Sequence, residues 1–236
     1  YAERAALRHA GLVIATSRLT ATTLKADYAV PPEKLVVALP GVDRPPLPAT
    51  KPSHPGETVH LLSVGSVIPR KDQLALIEAL ARLAHQRWHL TIVGDVERAP
   101  DWVAEVRASI DRHGFASRVT LTGALSPADV VPLWHAADVY VAASRHEGFG
   151  MAVAEAVAHG LPVVTTEAGA VGEWIDRRGV EVVTVGDVAA LTNALGRVIG
   201  DDAHRRRLAA GSRLASSSLP SWTVAAHVIS ARLQAL

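Results

Sequence analysis

Short apolar runs rich in β-branched residues recur along the chain, and stretches with the apolar spacing of amphipathic helices separate them. The runs predicted as strands are Leu12–Thr16, Leu35–Leu39, Val59–Val64, His89–Val93, Val119–Thr122, Val139–Ala143, Pro162–Thr165 and Glu181–Val185. Most of these runs are apolar throughout, which is typical of parallel strands covered on both faces. Their alternation with helical stretches predicts an α/β fold, a parallel sheet covered by helices.

Helices are predicted where apolar residues recur at helical spacing and where cap residues mark the ends. The predicted helices cover Gln73–Leu83, Trp102–Ile110, the residues that follow Ser126, the stretch from near Gly150 to Gly160, and Trp222–Leu236. Ser126 precedes Pro127 and Asp129, which is the pattern of a capped helix with proline in its first position. Gly160 is the kind of residue at which helices end.

A proline-rich stretch divides the chain. Six prolines lie between Pro40 and Pro55, and we expect residues 44–57 to form a linker or ordered loop. Residues 58–218 then form a complete α/β unit, and residues 219–236 form a last helix behind a break at Ser216–Pro220. Residues 1–43 are too few to bury their own apolar surface, so we expect them to be the end of a domain whose remainder lies outside this sequence.

Composition and charge exclude several classes of protein. The 236 residues include 24 Lys and Arg and 23 Asp and Glu, and a net charge of +1 does not predict nucleic-acid binding. The absence of cysteine excludes disulfides and thiolate metal sites, and it favours a cytoplasmic protein. No apolar run approaches the roughly 18–20 residues of a membrane-spanning helix, so no transmembrane segment is predicted.

Two segments at the ends of predicted strands are candidates for binding chemistry, because ligands of open parallel sheets bind outside the carboxyl ends of the strands. Gly65 to Asp72 follows one strand and contains Arg70 and Lys71, and Ser144 to Gly150 follows another and leads into a helix. The cations and the glycine-rich helix start predict a phosphate or diphosphate site. A plain tight turn and a solvent-exposed helix start remain open as alternatives.

Two glutamates frame the second of these segments. Glu147 lies in the turn and Glu155 lies in the helix that follows, a placement that does not suit a glycosidase pair. Carboxylates at these positions fit the recognition of vicinal hydroxyl groups, and a charge that stabilises the helix dipole is the alternative. The histidines show no metal-ligand spacing and no Asp-x-Asp triplet is present, so the sequence predicts a site without metal or cofactor.

The stretch from Glu147 to Val164 resembles the Glu-seven-Glu signature of retaining GT-B glycosyltransferases of family 4, the glycosyl transferases group 1. Upstream segments are similar to this family in order and spacing: Ser63–Gly65, Pro69–Lys71, Leu90–Asp95, Val119–Gly123, Ala136–Val139 and, before them, Val13–Ser17 and Pro40–Asp43. The resemblance covers nearly the whole chain. It implies the Rossmann-like C-terminal half of a two-domain GT-B architecture, preceded by the end of the N-terminal acceptor domain.

The resemblance also implies roles for individual residues. Glu155 would hold the ribose hydroxyls, Glu147 would contact hydroxyls of the donor sugar, and Lys71 would neutralise the leaving diphosphate. The other expected nucleotide-sugar contacts are Gly65, Ser66, Arg70, Gly123, Leu125, Gly148, Phe149, Gly150 and Met151. Two positions depart from the family pattern, because Ser66 replaces a common arginine and Asp72 replaces a common glycine, which would bring a negative charge near the phosphate.

The implied function is transfer of a sugar from a nucleotide-diphosphate sugar to an unknown acceptor with retention of configuration. The acceptor site would lie in the N-terminal half, through which peripheral membrane contact is left open. We therefore expect this chain alone to bind the donor and to transfer little. Three alternatives remain: a binding subunit that works with a separate chain, a degenerate binding domain, and a sugar-nucleotide epimerase, against which the Glu-seven-Glu block argues.

Overall fold

The computed structural model describes residues 2–46 and 57–234. The strands are β1 (Val13–Ala15), β2 (Leu35–Val37), β3 (Val59–Val64), β4 (Trp88–Val93), β5 (Val119–Leu121), β6 (Val139–Ala142), β7 (Val163–Thr166) and β8 (Val180–Val183). The helices are α1 (Ala2–His9), α2 (Arg18–Tyr28), α3 (Gln73–Ala81), α4 (Pro100–Arg112), α5 (Pro127–Ala136), α6 (Met151–Ala158), α7 (Val171–Trp174), α8 (Val188–Gly200), α9 (Asp202–Ser216) and α10 (Trp222–Leu233). Short 3₁₀ turns cover Pro32–Lys34 and Pro69–Lys71.

Six strands form one parallel sheet in the order β5-β4-β3-β6-β7-β8. The chain starts at the centre with β3, winds outward through β4 and β5, and then returns to place β6 on the other side of β3. The direction of winding therefore reverses between β3 and β6, which pair through Leu61 with Val139 and Leu62 with Tyr140. This is the doubly wound order whose crevice at the reversal point binds ligands in Rossmann-like folds.

Alternate residues of the central strands enter two separate cores. Leu61 and Val139 belong to the core on one face of the sheet. Leu62 and Tyr140, the next residues along the same strands, belong to the core on the opposite face. The period-2 alternation of a strand thus supplies both faces with apolar side chains, which is why these runs are apolar throughout.

Helices cover both faces. The first core includes side chains of α3, α4 and α8, among them the fully buried Ile77, Leu80 and Leu195. The second includes side chains of α5 and α6, such as Trp134 and Val157. The predicted parallel sheet covered by helices is confirmed.

All eight predicted strands are present, and no end differs from its predicted position by more than two residues. The helix predicted over Trp102–Ile110 begins earlier, at Pro100, and the helix predicted to reach Leu83 ends at Ala81. The last helix ends at Leu233, and residues 235 and 236 of its predicted range lie outside the described residues. No bounds were predicted for helices α1, α2, α7, α8 and α9.

The N-terminal residues form a small unit of their own, in which β1 and β2 pair in parallel and α2 connects them. This unit contacts the C-terminal part, since Val42 N–H donates to Pro220 O at 3.0 Å and Arg44 donates to Leu219 O. Residues 40–46 contain no helix or strand. Most of the predicted linker, residues 47–56, lies outside the described residues, and the predicted domain limits stay predictions.

Candidate functional site

A cleft of about 580 Å³ opens at the carboxyl ends of β3 and β6, where the winding of the sheet reverses. Its walls are formed by Thr16, Pro40, Val64, Gly65, Arg70, Lys71, His146, Glu147, Gly148, Phe149, Gly150, Met151, Ala152 and Glu155. Two sequence segments that are more than 70 residues apart, Gly65–Lys71 and His146–Glu155, therefore meet here. Nine of the twelve residues expected to bind the donor line this cleft.

Glu147 is the centre of a cluster of charges on the cleft wall. Its carboxylate accepts from Lys71 Nζ at 2.7 Å and from Ser144 Oγ at 2.7 Å, both on Oε1. Arg70 Nη1 donates to Oε2 at 3.3 Å and to the carbonyl of His146 at 2.7 Å. Glu147 is only 7% exposed, whereas 44% of the Arg70 side chain is exposed. The cluster thus presents a net positive charge to the cleft.

The environment of Glu147 keeps the carboxylate ionised. Burial by itself would raise the pKa of Glu147. The charge of Lys71, the hydrogen bonds from Lys71 and Ser144, and the charge of Arg70 outweigh burial and hold this pKa below its ordinary value. Lys71 has three N–H bonds and Glu147 takes one, so two remain for an anion in the cleft.

The N-terminus of α6 forms the neighbouring wall. Gly150 caps this helix in a left-handed conformation and supplies no side-chain hydrogen bond to its first amides. By contrast, Ser17, Asp72 and Ser126 each cap their helices through a side-chain oxygen. The uncapped amides at the start of α6 carry a partial positive charge and have no side-chain acceptor, as in anion sites at helix N-termini.

Glu155 lies one helical turn deeper in the cleft. Burial raises the pKa of its carboxyl group, and the negative charge of Asp43 raises this pKa further. Asp43 is the last residue before the predicted linker. A ligand that donates hydrogen bonds, such as a vicinal diol, would compensate the lost hydration of this carboxylate.

Three expected contacts do not line the cleft. The carbonyl of Ser66 accepts from Gln73 Nε2 at 3.1 Å, and the carbonyl of Gly123 accepts from Gly94 N–H at 3.0 Å. Leu125 packs against the core on the α6 side of the sheet. Gly123 nevertheless belongs to the same sheet edge, because Gly94 contacts both it and the turn at Gly65.

Asp72 has a structural role that its sequence position does not reveal. Its carboxylate is buried, accepts from Arg145 Nε at 2.7 Å and caps α3 through the amide of Ala75. Asp72 does not line the cleft. Arg145, whose side chain is 62% exposed, pairs with this charge, and the expectation that Asp72 brings a negative charge near the phosphate site stays a prediction.

The structure also adds residues to which the sequence analysis gave no individual role. Thr16 and Pro40 reach the cleft from the N-terminal unit, and His146 lies at its exposed rim. Ser144 is buried and holds Glu147, while its own carbonyl accepts from Thr166 Oγ1. Ser144 and His146 belong to a segment that the sequence analysis selected because it follows a strand. Thr16 and Pro40 belong to segments that resemble the family, but no local signal placed them at the cleft.

Within residues 2–46 and 57–234, no three His, Cys, Asp or Glu side chains are grouped so that they could hold a metal ion. Independence from metal stays a prediction. No helix in the part of the chain that the structure describes is long and apolar enough to cross a membrane.

The sheet order and the cleft at its reversal point define a Rossmann-like α/β domain of the kind found in GT-B glycosyltransferases. HepE of Anabaena, solved in complex with UDP and glucose, is similar to 98% of this chain at 25% identity, with a TM-score of 0.83 and 65% of its own chain covered. The family described as Glycosyl transferases group 1 matches residues 58–201, and the chain belongs to this family.

Curated relatives agree with this assignment. The chain is 31% identical to D-inositol 3-phosphate glycosyltransferase of Xylanimonas cellulosilytica over 86% of its length. It is 32% identical to MMP alpha-(1->4)-mannosyltransferase of Mycolicibacterium hassiacum over 92% of its length. The chain spans 52% of the length of each of these two relatives.

Proposed function

We propose that this chain is the donor-binding half of a glycosyltransferase that uses a nucleotide-diphosphate sugar, transfers the sugar with retention of configuration and needs no metal ion. The observation that carries the proposal is the cleft in which Lys71, Arg70 and the uncapped N-terminus of α6 converge. Together they form a site for a diphosphate. The relatives are glycosyltransferases, and HepE was solved with UDP and glucose, which makes UDP-sugars the first candidates.

The charges of the cleft suit the leaving group of such a reaction. Cleavage of the bond between sugar and diphosphate places a further negative charge on the diphosphate, and the transition state has oxocarbenium character. Donors that are already oriented toward this charge lower the barrier without reorganisation. Lys71 supplies two N–H bonds, Arg70 supplies a half-exposed guanidinium, and α6 supplies its amides. These groups fill the role that a metal ion has in other transferases.

The two glutamates take different parts in binding. Glu155 is partly buried and its pKa is raised, so its ionised carboxylate is destabilised in the cleft. Two hydrogen bonds from a ribose diol would stabilise the carboxylate. Glu147 is held ionised by its cations, and its remaining acceptor capacity faces the donor sugar. The acceptor and the remaining catalytic groups belong to the half of the enzyme outside this chain, and the isolated chain binds donor but transfers little.

Thermal unfolding of the chain with UDP, GDP, ADP and their common sugars, with and without EDTA, tests the proposal. A ligand at 100 times its Kd stabilises a protein by about 2.7 kcal/mol. For a chain of this size this corresponds to a rise in Tm of roughly 5–10 °C. We expect one nucleotide series to raise Tm in the presence of EDTA.

Variants of the chain assign the effect to the cleft. Glu155→Ala and Lys71→Ala should abolish or weaken the shift. Glu105→Ala, an exposed glutamate on α4, should retain it. A chain that no nucleotide or nucleotide sugar stabilises would contradict the donor site, and a shift that EDTA removes would contradict metal independence.

A further inference from the structure

Helix α7 lies between the donor loop, residues Ser144–Gly150, and the N-terminus of α2. It is only four residues long, Val171–Trp174, and it follows β7 through Gly169. One set of its contacts reaches the donor loop of the cleft. Another reaches the N-terminal unit, which supplies Thr16 to the lining of the cleft.

The contacts with the donor loop are specific. The ring of Trp174 stacks on Phe149 with centroids 5.1 Å apart and an interplanar angle of 21°. The indole Nε1 of Trp174 also donates to the carbonyl of Phe149 at 2.8 Å. Ala170 N–H, immediately before α7, donates to the carbonyl of Glu147 at 3.0 Å. Helix α7 thus holds the backbone of the loop at two of its residues.

The packing between α7 and the loop leaves no free space. A Cβ atom on Gly150 would lie 2.6 Å from Cγ2 of Val171. A Cβ atom on Gly169 would lie 2.1 Å from the carbonyl oxygen of Glu147, and the φ of +59° at Gly169 is a conformation that glycine adopts without strain. Because close-packed groups transmit displacement, a shift of α7 must move the loop.

Glu173 makes the contact with the N-terminal unit. Its carboxylate accepts from the amide of Arg18 at 3.0 Å and from the amide of Leu19 at 2.5 Å, the first two residues of α2. Ser17 Oγ accepts from the third amide, that of Thr20, at 2.9 Å. The carboxylate also faces the positive end of the helix dipole. Through this one side chain, Glu173 contacts residues that lie 155 and 154 positions earlier in the sequence.

Thr16 connects this contact to the cleft. It directly precedes the cap residue Ser17, and its Oγ1 would lie 3.8 Å from a Cβ atom on Gly148 of the donor loop. The position of α2 therefore determines where Thr16 lies relative to the donor loop.

We propose that Glu173 is a positioning residue that fixes the N-terminal unit against the donor loop through α7. Ordering of the loop by a nucleotide sugar then favours docking of α2, and docking of α2 favours the bound form of the loop. Such coupling is reciprocal by thermodynamic necessity. The second half of the inference rests on the donor site proposed above, whereas the connection between α2 and the loop does not.

Amide hydrogen exchange on the whole chain tests the connection from both ends without any ligand. Glu173→Gln removes the charge and one acceptor at α2. Trp174→Phe keeps a stacking ring and removes only the N–H that holds Phe149. Glu105→Gln on α4 is the matched control. If α7 connects the two sites, Glu173→Gln speeds exchange at Ala154 and Ala170, whose amides donate to the carbonyls of Gly150 and Glu147. Trp174→Phe speeds exchange at Arg18 and Leu19, and each effect is about threefold or more.

Effects that stay local in both variants would overturn the proposal. Unchanged far-UV circular dichroism in each variant, and partial recovery in Glu173→Asp, separate the coupling from general loss of structure. If exchange rises throughout the chain in one of these variants, Leu19→Pro takes its place. Proline removes one of the two N–H groups that donate to Glu173, and it leaves α7 intact.

Addition of UDP-glucose gives the second readout. In the wild-type chain, we expect slower exchange at residues 148–151 and, with it, at Arg18 and Leu19. In Glu173→Gln, only the loop should respond. Protection of the loop without any change at α2 in the wild type would contradict the coupling. No protection of the loop with UDP-glucose, GDP-mannose or ADP-glucose would contradict the donor site instead, and the ligand-free comparison would still decide the role of Glu173.

Discussion

Replacement of Glu147 by glutamine is the sharpest test of the charge cluster in the cleft. At pH 7 the carboxylate accepts from Lys71, Ser144 and Arg70, and only 17% of the Lys71 side chain is exposed. Glutamine has the same shape, but it replaces one acceptor oxygen by an NH₂ group that must face a cation. Loss of a partner from a buried charge pair costs about 3–5 kcal/mol. Because Arg70 is half exposed and water screens it, we expect about 2–3 kcal/mol here.

Such a loss lowers Tm by roughly 5–10 °C in a chain of this length. The effect should depend on pH. The pKa of Glu147 is lower in the folded chain than in the unfolded chain, so its stabilisation is present above the unfolded pKa and is lost as pH falls through the folded pKa. The difference in Tm between wild type and Glu147→Gln should therefore shrink as the pH is lowered from 7 toward 3.

Thermal unfolding followed by circular dichroism over this pH range measures the difference, with Glu105→Gln as the exposed control that should change stability by less than about 0.5 kcal/mol. A Glu147→Gln chain as stable as wild type at pH 7 would refute the argument. An equal loss at pH 7 and pH 3 would show that the side chain acts through packing and not through its charge.

Further predictions concern the rest of the site and the core. Glu155→Gln should raise Tm at pH 7 and leave it unchanged near pH 4, because burial and the charge of Asp43 raise the folded pKa of Glu155 and its ionisation at neutral pH costs stability; a lower Tm at pH 7 would contradict this. Asp72→Ala should destabilise the chain by about 2–3 kcal/mol in urea unfolding, since alanine at φ +48° is strained and the cap of α3 is lost. Asp72→Gly should lose about 1–2 kcal/mol less than Asp72→Ala, because both variants lose the ion pair with Arg145 but glycine adopts this conformation without strain; equal losses in the two variants would be inconsistent with this account. Leu195→Ala, at a fully buried position on α8, should cost about 2–5 kcal/mol by the same measurement, and a smaller loss would place α8 outside the core.

The structure gives the departures from the family pattern a physical meaning. Ser66 does not line the cleft, and Arg70 supplies a cation there from a position four residues later. The buried carboxylate of Asp72 is paired with Arg145, whose side chain is largely exposed. This ion pair offsets the negative charge that Asp72 would otherwise bring near the cleft.

Much of the fold follows from local sequence. The central strands are apolar on both faces, so Leu61 and Leu62 point into different cores, and this pattern predicts a covered parallel sheet. Helix α6 is marked at both ends by glycine. Helices α8 and α9 were not predicted individually, and only one residue, Asp201, separates them. Helix α7 is too short for any periodicity to show.

Parts of the site can also be predicted from local sequence. Ligands of a parallel sheet bind at the carboxyl ends of its strands, so residues that follow β3 and β6, such as Lys71 and Glu147, can be selected without coordinates. Their side-chain chemistry, a cation and a carboxylate beside a glycine-rich helix start, then indicates an anion and hydroxyl site.

Tertiary structure alone decided which groups face each other across the chain. Asp72 could point toward the cleft or into the fold, and the position of Arg145, 73 residues away, determines which. Thr16 enters the cleft and Glu173 binds α2 only because the N-terminal unit packs on the donor domain. Sequence periodicity reports the burial of each element along its own axis, but it carries no information on contacts between elements, which depend on how complete surfaces fit together.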